Sequence, residues 1–313
     1  MPEGVDVLVH EMGLRDGLQS IETIFSTEGK MDWIRAEAES GVPQLQVGSF
    51  VPPKLLPQMA DSADVVRQAI QIPDLVVSAL APNLKGAKNA MEAGAHQVGV
   101  VMSISEAHNM SNVRRSTKES LEDFKRIVEY RDSNPAYNDV CLSGGMATAF
   151  GCTISGPVSL PDVMRIAEQL LKAGANRLNV ADTVGYANPG QVRDLFTELY
   201  RTVGRDVAIG AHFHDTRGLG LANAFAALET GVRELDASLG GLGGCPYAPG
   251  ASGNIVTEDL VFMLESMGMR TGVDLKALLK ARKIMECQLK GEPTHGTFAK
   301  AGLPLGFAYA SAA

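Results

Sequence analysis

The chain has 313 residues, 45% of them hydrophobic and 20% charged, which is the composition of an ordinary globular protein with material for one large core or two modest ones. Its formal net charge of −8 argues against a nucleic-acid or anionic-membrane surface, which needs clustered Lys and Arg, but leaves small anionic substrates open through local basic groups. No stretch is apolar for long enough to span a bilayer, and Met1-Pro2-Glu3-Gly4 has neither a basic nor an apolar leader region, so a cytoplasmic setting without membrane or nucleic-acid partners is expected.

Along the chain, short β-rich runs alternate with longer amphipathic stretches. Strands are predicted at 7–10, 44–49, 75–80, 97–103, 139–143, 177–181, 208–213 and 234–238. Helical patterns lie between them, among others at 27–40, 62–71, 84–93, 120–131, 160–173, 189–203 and 220–230, with another at 257–267. Eight β units, each followed by a helix, predict an α/β protein of the (β/α)8 TIM-barrel type with extra C-terminal helices. A doubly wound sheet competes poorly, because no Gly-x-Gly-x-x-Gly follows the first strand. The barrel is expected over residues 1–290, leaving 291–313 as a tail of unknown role.

Active sites in this fold gather where strands run into their following loops. The first strand leads into Arg15-Asp16-Gly17-Leu18-Gln19, the second ends at Gln46 and Ser49, and the sixth at Asn179 and Asp182. The seventh carries His212 and His214, which point to one side because strand side chains alternate with period two, and so can grip one divalent metal. After the eighth, Gly240-Gly241-Leu242-Gly243-Gly244 leads to Cys245, a thiol in a loop able to fold back over such a metal. The bland readings are an incidental His-x-His and a structural Arg15–Asp16 ion pair. Cys141, Cys152 and Cys287 follow no zinc or disulfide rhythm and read as reduced packing residues.

Several of these runs together resemble one family. Arg15 to Gln19, the block from Ser49 to Lys54 with Pro57-Gln58-Met59, Pro82-Asn83-Leu84-Lys85-Gly86, Asp182-Thr183-Val184-Gly185, His212-Phe213-His214-Asp215-Thr216, and Gly243 to Ala248 with Gly253-Asn254 are similar to the 3-hydroxy-3-methylglutaryl-CoA lyases. The likeness covers roughly residues 6 to 290. It implies retro-Claisen cleavage of a branched 3-hydroxyacyl-CoA to acetyl-CoA and a keto acid such as acetoacetate. It implies Mg²⁺ or Mn²⁺ held by Asp16, His212, His214 and Asn254. Arg15 would stabilise the developing enolate oxygen, Cys245 would act as acid and base toward the departing acetyl carbon, and Asp182 would be a further active-site carboxylate. Gln19, Gln46 and Asn179 join Arg15 as expected substrate-binding residues. The expected partner is an acyl-CoA, and the expected assembly a homo-oligomer, dimer or larger.

The chain also departs from that pattern. Gln46 stands where the family has a glutamate, Ser20-Ile21-Glu22 replaces Asn-Glu-Lys, and Asn179 occupies a usually small, hydroxylic position. A different branched acyl group is therefore one expectation. The competing readings are a Claisen-type 2-isopropylmalate or homocitrate synthase relative, and a catalytically silent barrel that binds CoA esters.

Overall fold

In the computed structural model, residues 3–243, 253–289 and 291–311 are described. The strands β1 (Leu8–Glu11), β2 (Gln44–Ser49), β3 (Val76–Ala81), β4 (Gln97–Ser103), β5 (Cys141–Ala147), β6 (Arg177–Asp182), β7 (Ala208–Phe213) and β8 (Glu234–Ala237) pair in parallel, each with the next. β8 pairs with β1 and closes the expected barrel. Alternation sorts each strand into two faces. Val77, Val98, Val100, Leu142, Leu178, Val180, Ile209 and Phe213 face outward and are buried under the helices, while His10, Gln46, Ser78, Asn179, His212 and Asp236 face the lumen. The outer layer is the hydrophobic core, and the lumen carries the chemistry.

The helices between strands are α1 (Thr27–Glu39), α2 (Ser62–Ala69), α3 (Leu84–Glu92), α4 (Glu106–Val113), α5 (Thr117–Asp132), α6 (Leu160–Lys172), α7 (Pro189–Val203) and α8 (Gly220–Thr230). The sequence pattern misses α4, and it starts α5 three residues late. Ser116 accepts from the Glu119 N–H while the Glu119 side chain returns to the Ser116 backbone, a capping box that sets the true start. Arg114, in left-handed backbone at φ 56°, separates the two helices. Strand β5 also starts and ends later than the expected 139–143. In the barrel Gly144 lies under Leu170, where an added Cβ would come within 3.0 Å.

After β8 come α9 (Thr257–Ser266), α10 (Leu275–Gln288) and α11 (Phe298–Ala301). Residues 291–311, expected as a tail, pack onto these helices. The His295 N–H donates to the Gly240 carbonyl at 2.7 Å, Phe298 stacks on Phe262 with centroids 5.1 Å apart, and the Leu275 N–H donates to the Tyr309 hydroxyl.

Beneath the β8–β1 closure three carboxyls, Glu11, Glu37 and Glu258, are fully buried. Glu11 accepts from the Gly13 N–H at 2.7 Å, the Leu239 N–H at 2.9 Å and the Thr257 hydroxyl at 2.5 Å, so one carboxyl ties together the turns after both strands and the start of α9. Arg282 pairs with Glu258 at 2.8 Å. Burial pushes the Glu11 carboxyl up to about 7, and burial together with the neighbouring Glu11 charge pushes Glu37 well above the usual carboxylate range.

These groups hold protons in the native state that they lose when unfolded, so stability falls as pH climbs from the unfolded value of 4.5 through about 7. Glu37→Gln, which fixes a neutral group at that site, is expected to raise Tm at pH 8 and flatten the decline between pH 6 and 8. A lower Tm at pH 8 than wild type would show instead that the Glu37 charge is needed.

Candidate metal centre

A single π-helical turn, Gly13–Gly17, follows β1 and buries both Arg15 and Asp16 at the mouth of the barrel. There Asp16 meets His212 of β7 and His214, which directly follows that strand. One ligand atom from each of Asp16, His212 and His214 lies within 4.8 Å of the others, which makes a group able to hold a metal ion. The His212 and His214 Nε2 atoms are 3.0 Å apart, and Asp16 Oδ2 is 3.9 and 3.6 Å from them.

Asn254 completes the group from the segment after β8. Its backbone bridges to His214, and its Nδ2 donates to Asp16 Oδ2 at 2.8 Å and to the Leu242 carbonyl at 3.2 Å. Among the described residues its buried Oδ1 has no hydrogen-bond partner. A buried amide oxygen left unpaired beside a carboxylate and two imidazoles fits a bound cation. Gly253 makes this approach possible, because a Cβ there would fall 1.8 Å from the Gly243 carbonyl oxygen.

The charges around the cluster are organised by contacts. Burial by itself would raise the Asp16 carboxyl, but the adjacent Arg15 guanidinium and the two histidines hold it well below the usual carboxylate range. Arg15 donates from Nη1 to Asp16 and from Nε to the Gln46 amide oxygen, which fixes the guanidinium plane. Gln19 Nε2 donates to Asp16 Oδ1 at 2.9 Å.

On the far side of His212, Nδ1 lies 3.1 Å from Asp236 Oδ2. Burial opposes ionisation of Asp236, yet contacts with His10 and His212 hold its carboxyl well below the ordinary range. An ionised acceptor there keeps the His212 proton on Nδ1 and leaves Nε2 free to face the cluster. Asn179 Nδ2 donates to the same Asp236 oxygen at 2.9 Å. His10 Nδ1 lies 3.2 Å from the other, with Ser78 Oγ 2.9 Å from His10 Nε2.

The chain is similar to known proteins over most of its length. The HMGL-like family model matches residues 6–285. The chain belongs to the HMGL-like family. Hydroxymethylglutaryl-CoA lyase YngG of Bacillus subtilis is 40% identical over 294 residues, 94% of this chain and 96% of that one. The mitochondrial hydroxymethylglutaryl-CoA lyase of Mus musculus is 38% identical over 301 residues, covering 96% and 90% of the two chains. Among solved structures, an HMG-CoA lyase from Acinetobacter baumannii in complex with coenzyme A and 3-methylmalate superposes with a TM-score of 0.90 at 40% identity, covering 98% of this chain and 99% of that one.

Within this HMGL-like barrel the expected site residues divide into groups. Arg15, Asp16, Gln19, Gln46, His212, His214 and Asn254 are brought together, with Asn179 reaching the cluster through Asp236. Asp182 stands on the opposite face of its strand from Ala181, the partner of His212, and accepts the Tyr186 and Ala187 N–H groups at 2.8 and 3.1 Å. It shapes the loop after β6. Burial pushes its carboxyl up, and those two amides pull it back. Cys245 lies outside the described residues.

Asp236 and His10 were not singled out from the sequence. The available signal was Glu234 and Asp236, acids two apart on a strand and so aimed into the same lumen. Asp236→Asn is expected to weaken Mn²⁺ binding by roughly 10–100-fold, the usual cost of losing a histidine's outer carboxylate. Titration of the folded variant with Mn²⁺ checks this, and unchanged affinity would remove Asp236 from the metal's support.

Proposed function

We propose that the chain is a divalent-metal-dependent carbon–carbon lyase that cleaves 3-hydroxy-3-methylglutaryl-CoA, or a homologue with another branch at C3, to acetyl-CoA and a 3-oxo acid. The observation that carries this reading is the convergence of Asp16, His212, His214 and the unpartnered Asn254 oxygen beside one immobilised arginine. The names of the relatives point the same way, as does the coenzyme A bound to the Acinetobacter neighbour. Asp16, His212, His214 and Asn254 are the proposed ligands of Mg²⁺ or Mn²⁺, ions that accept such mixed nitrogen and oxygen donors.

Cleavage breaks the C2–C3 bond, leaves the electron pair on C2 as a thioester enolate, and turns the C3 hydroxyl into a ketone. When bound, the ion supplies Lewis acidity that eases deprotonation of that hydroxyl. Arg15, clamped by Asp16 and Gln46, presents a fixed cation to the developing enolate oxygen and needs no reorganisation when charge appears. Gln19 holds the Asp16 carboxylate in place. The Cys245 thiol is proposed to return a proton to C2, and Asp182 to hold the β6 loop over the substrate.

The test is incubation of the chain with Mg²⁺ or Mn²⁺ and 3-hydroxy-3-methylglutaryl-CoA, followed by quantification of acetyl-CoA and acetoacetate. Equal release of both, abolished by a chelator, is expected. Binding of the CoA ester without turnover would favour the silent barrel. Release of free CoA from acetyl-CoA and a 2-oxo acid would favour the synthase direction.

A further inference from the structure

Residues 292–298, which follow α10, tie together the loops that carry metal-site residues after β1 and β8. On the β1 side the Glu292 carboxylate accepts the Glu22 and Thr23 N–H groups at 3.1 and 3.4 Å, a few residues past Asp16. On the β8 side the His295 N–H donates to the Gly240 carbonyl at 2.7 Å. The far end is fastened to α9, where Asp259 accepts the Thr297 and Phe298 N–H groups at 3.0 and 2.7 Å. The segment is thus a strap fixed at both ends and in its middle.

Gly240 is held on both of its backbone polar groups. Its N–H donates to Glu258 Oε2 at 3.1 Å, and Arg282 Nη1 donates both to Glu258 Oε1 at 2.8 Å and to the His295 carbonyl at 2.7 Å. With the His295 N–H on the Gly240 carbonyl, the contacts close a ring through two buried, oppositely charged side chains. Gly240 and Gly241 both adopt left-handed backbone, at φ 64° and 63°. Two such glycines in a row have many alternatives open to them, so this turn needs external support. A Cβ on Gly240 would come 3.3 Å from Thr294 Cγ2 and one on Gly241 3.2 Å from His295 Cβ, so the turn lies directly against the strap.

Two residues beyond Gly240, the Leu242 carbonyl accepts Asn254 Nδ2 at 3.2 Å, while Asp16 Oδ2 accepts the same nitrogen at 2.8 Å. Both amide hydrogens are then committed, and Oδ1 is the atom left to face the cluster. Displacing the Leu242 carbonyl frees the amide to rotate and turns that oxygen away.

We propose that the 292–298 strap is a positioning element of the metal centre: its grip on Gly240 places the Leu242 carbonyl, which in turn orients the Asn254 amide toward the ion. The inference rests on the metal-dependent lyase reading and adds to it residues outside the proposed ligand set.

The experiment titrates chelator-treated wild type, His295→Pro, His295→Ala and Gly296→Ala with Mn²⁺ and records the Tm of each metal-free protein. His295→Pro removes the N–H that the Gly240 carbonyl accepts, whereas His295→Ala keeps it. Gly296 has φ 103°, and a Cβ there would fall 2.8 Å from Val256 Cγ1, so Gly296→Ala shifts the strap with its donor intact. Roughly tenfold weaker Mn²⁺ binding is expected for His295→Pro and Gly296→Ala, the lower end of the cost of losing a group that orients a ligand, with His295→Ala within about threefold of wild type. Gly296→Ala provides the measurement if His295→Pro fails to fold. A strap that only stabilises the fold would lower the metal-free Tm and leave the affinity of the folded variants at the wild-type value, which overturns the proposal while the metal site stands. An equal loss in His295→Ala and His295→Pro assigns the effect to the imidazole and overturns it as well. Failure of the wild type to bind Mn²⁺ overturns both readings.

Discussion

Asp16→Asn is expected to lower kcat by at least about 10³-fold and to abolish measurable Mn²⁺ binding at concentrations that saturate the wild type. The magnitude follows from losing a ligand whose ion supplies several kcal/mol of charge stabilisation, each 1.36 kcal/mol being tenfold in rate. The substitution preserves shape but not hydrogen-bonding logic. The carboxylate receives Gln19 Nε2 and the Arg15 guanidinium on Oδ1 and Asn254 Nδ2 on Oδ2, so it works only as an acceptor. An amide presents one acceptor and one donor, so at least one of those partners faces an N–H, and either Gln19 or Asn254 must move. Chelator-treated protein titrated with Mn²⁺, alongside steady-state kinetics, separates the two losses. A variant that binds Mn²⁺ normally and keeps a tenth of wild-type turnover would remove Asp16 from the ligand set.

Arg15→Gln is expected to cost about 10² to 10³ in kcat with little change in Mn²⁺ affinity, the range seen when one preorganised donor to a developing oxyanion is removed. Arg15 is buried, so its charge acts in a poorly screened setting, and its contacts with Asp16 and Gln46 leave little freedom to the guanidinium. The effect should fall on kcat more than on KM, because the enolate charge exists only in the transition state. An Arg15→Gln variant with wild-type kcat and raised KM would assign Arg15 to ground-state binding.

The legibility of this chain differs between its two faces. Apolar alternation on the outer face made all eight strands readable, and 44–49, 97–103 and 208–213 agree with the observed bounds, because burial under helices imposes a period that needs no knowledge of partners. His212 and His214 were legible for the same reason, since two identical ligands on one strand declare their shared direction. Asp236 and His10 were not. Neither forms a recognisable ligand pattern on its own strand, and the meaning of each comes from the parallel register that sets β1, β7 and β8 side by side. The role expected for Asp182 rested on family likeness, whereas its observed partners are backbone amides of its own loop. The tail beyond residue 290 carried no motif, because its aromatic contacts with α9 pair residues far apart in the chain.

The junction of the last strand with the first also orders events in time. Asp16 follows β1, Asn254 follows β8, and Glu11 fastens the turns after both strands, so the ligand set cannot assemble on an open sheet with that edge unpaired. An ion recognised only by the completed ring acts as a latch on the fold. If the proposed ion binds there, its stabilising effect would grow with the logarithm of its free concentration above Kd, and metal supply would then set the ring's stability as well as its turnover.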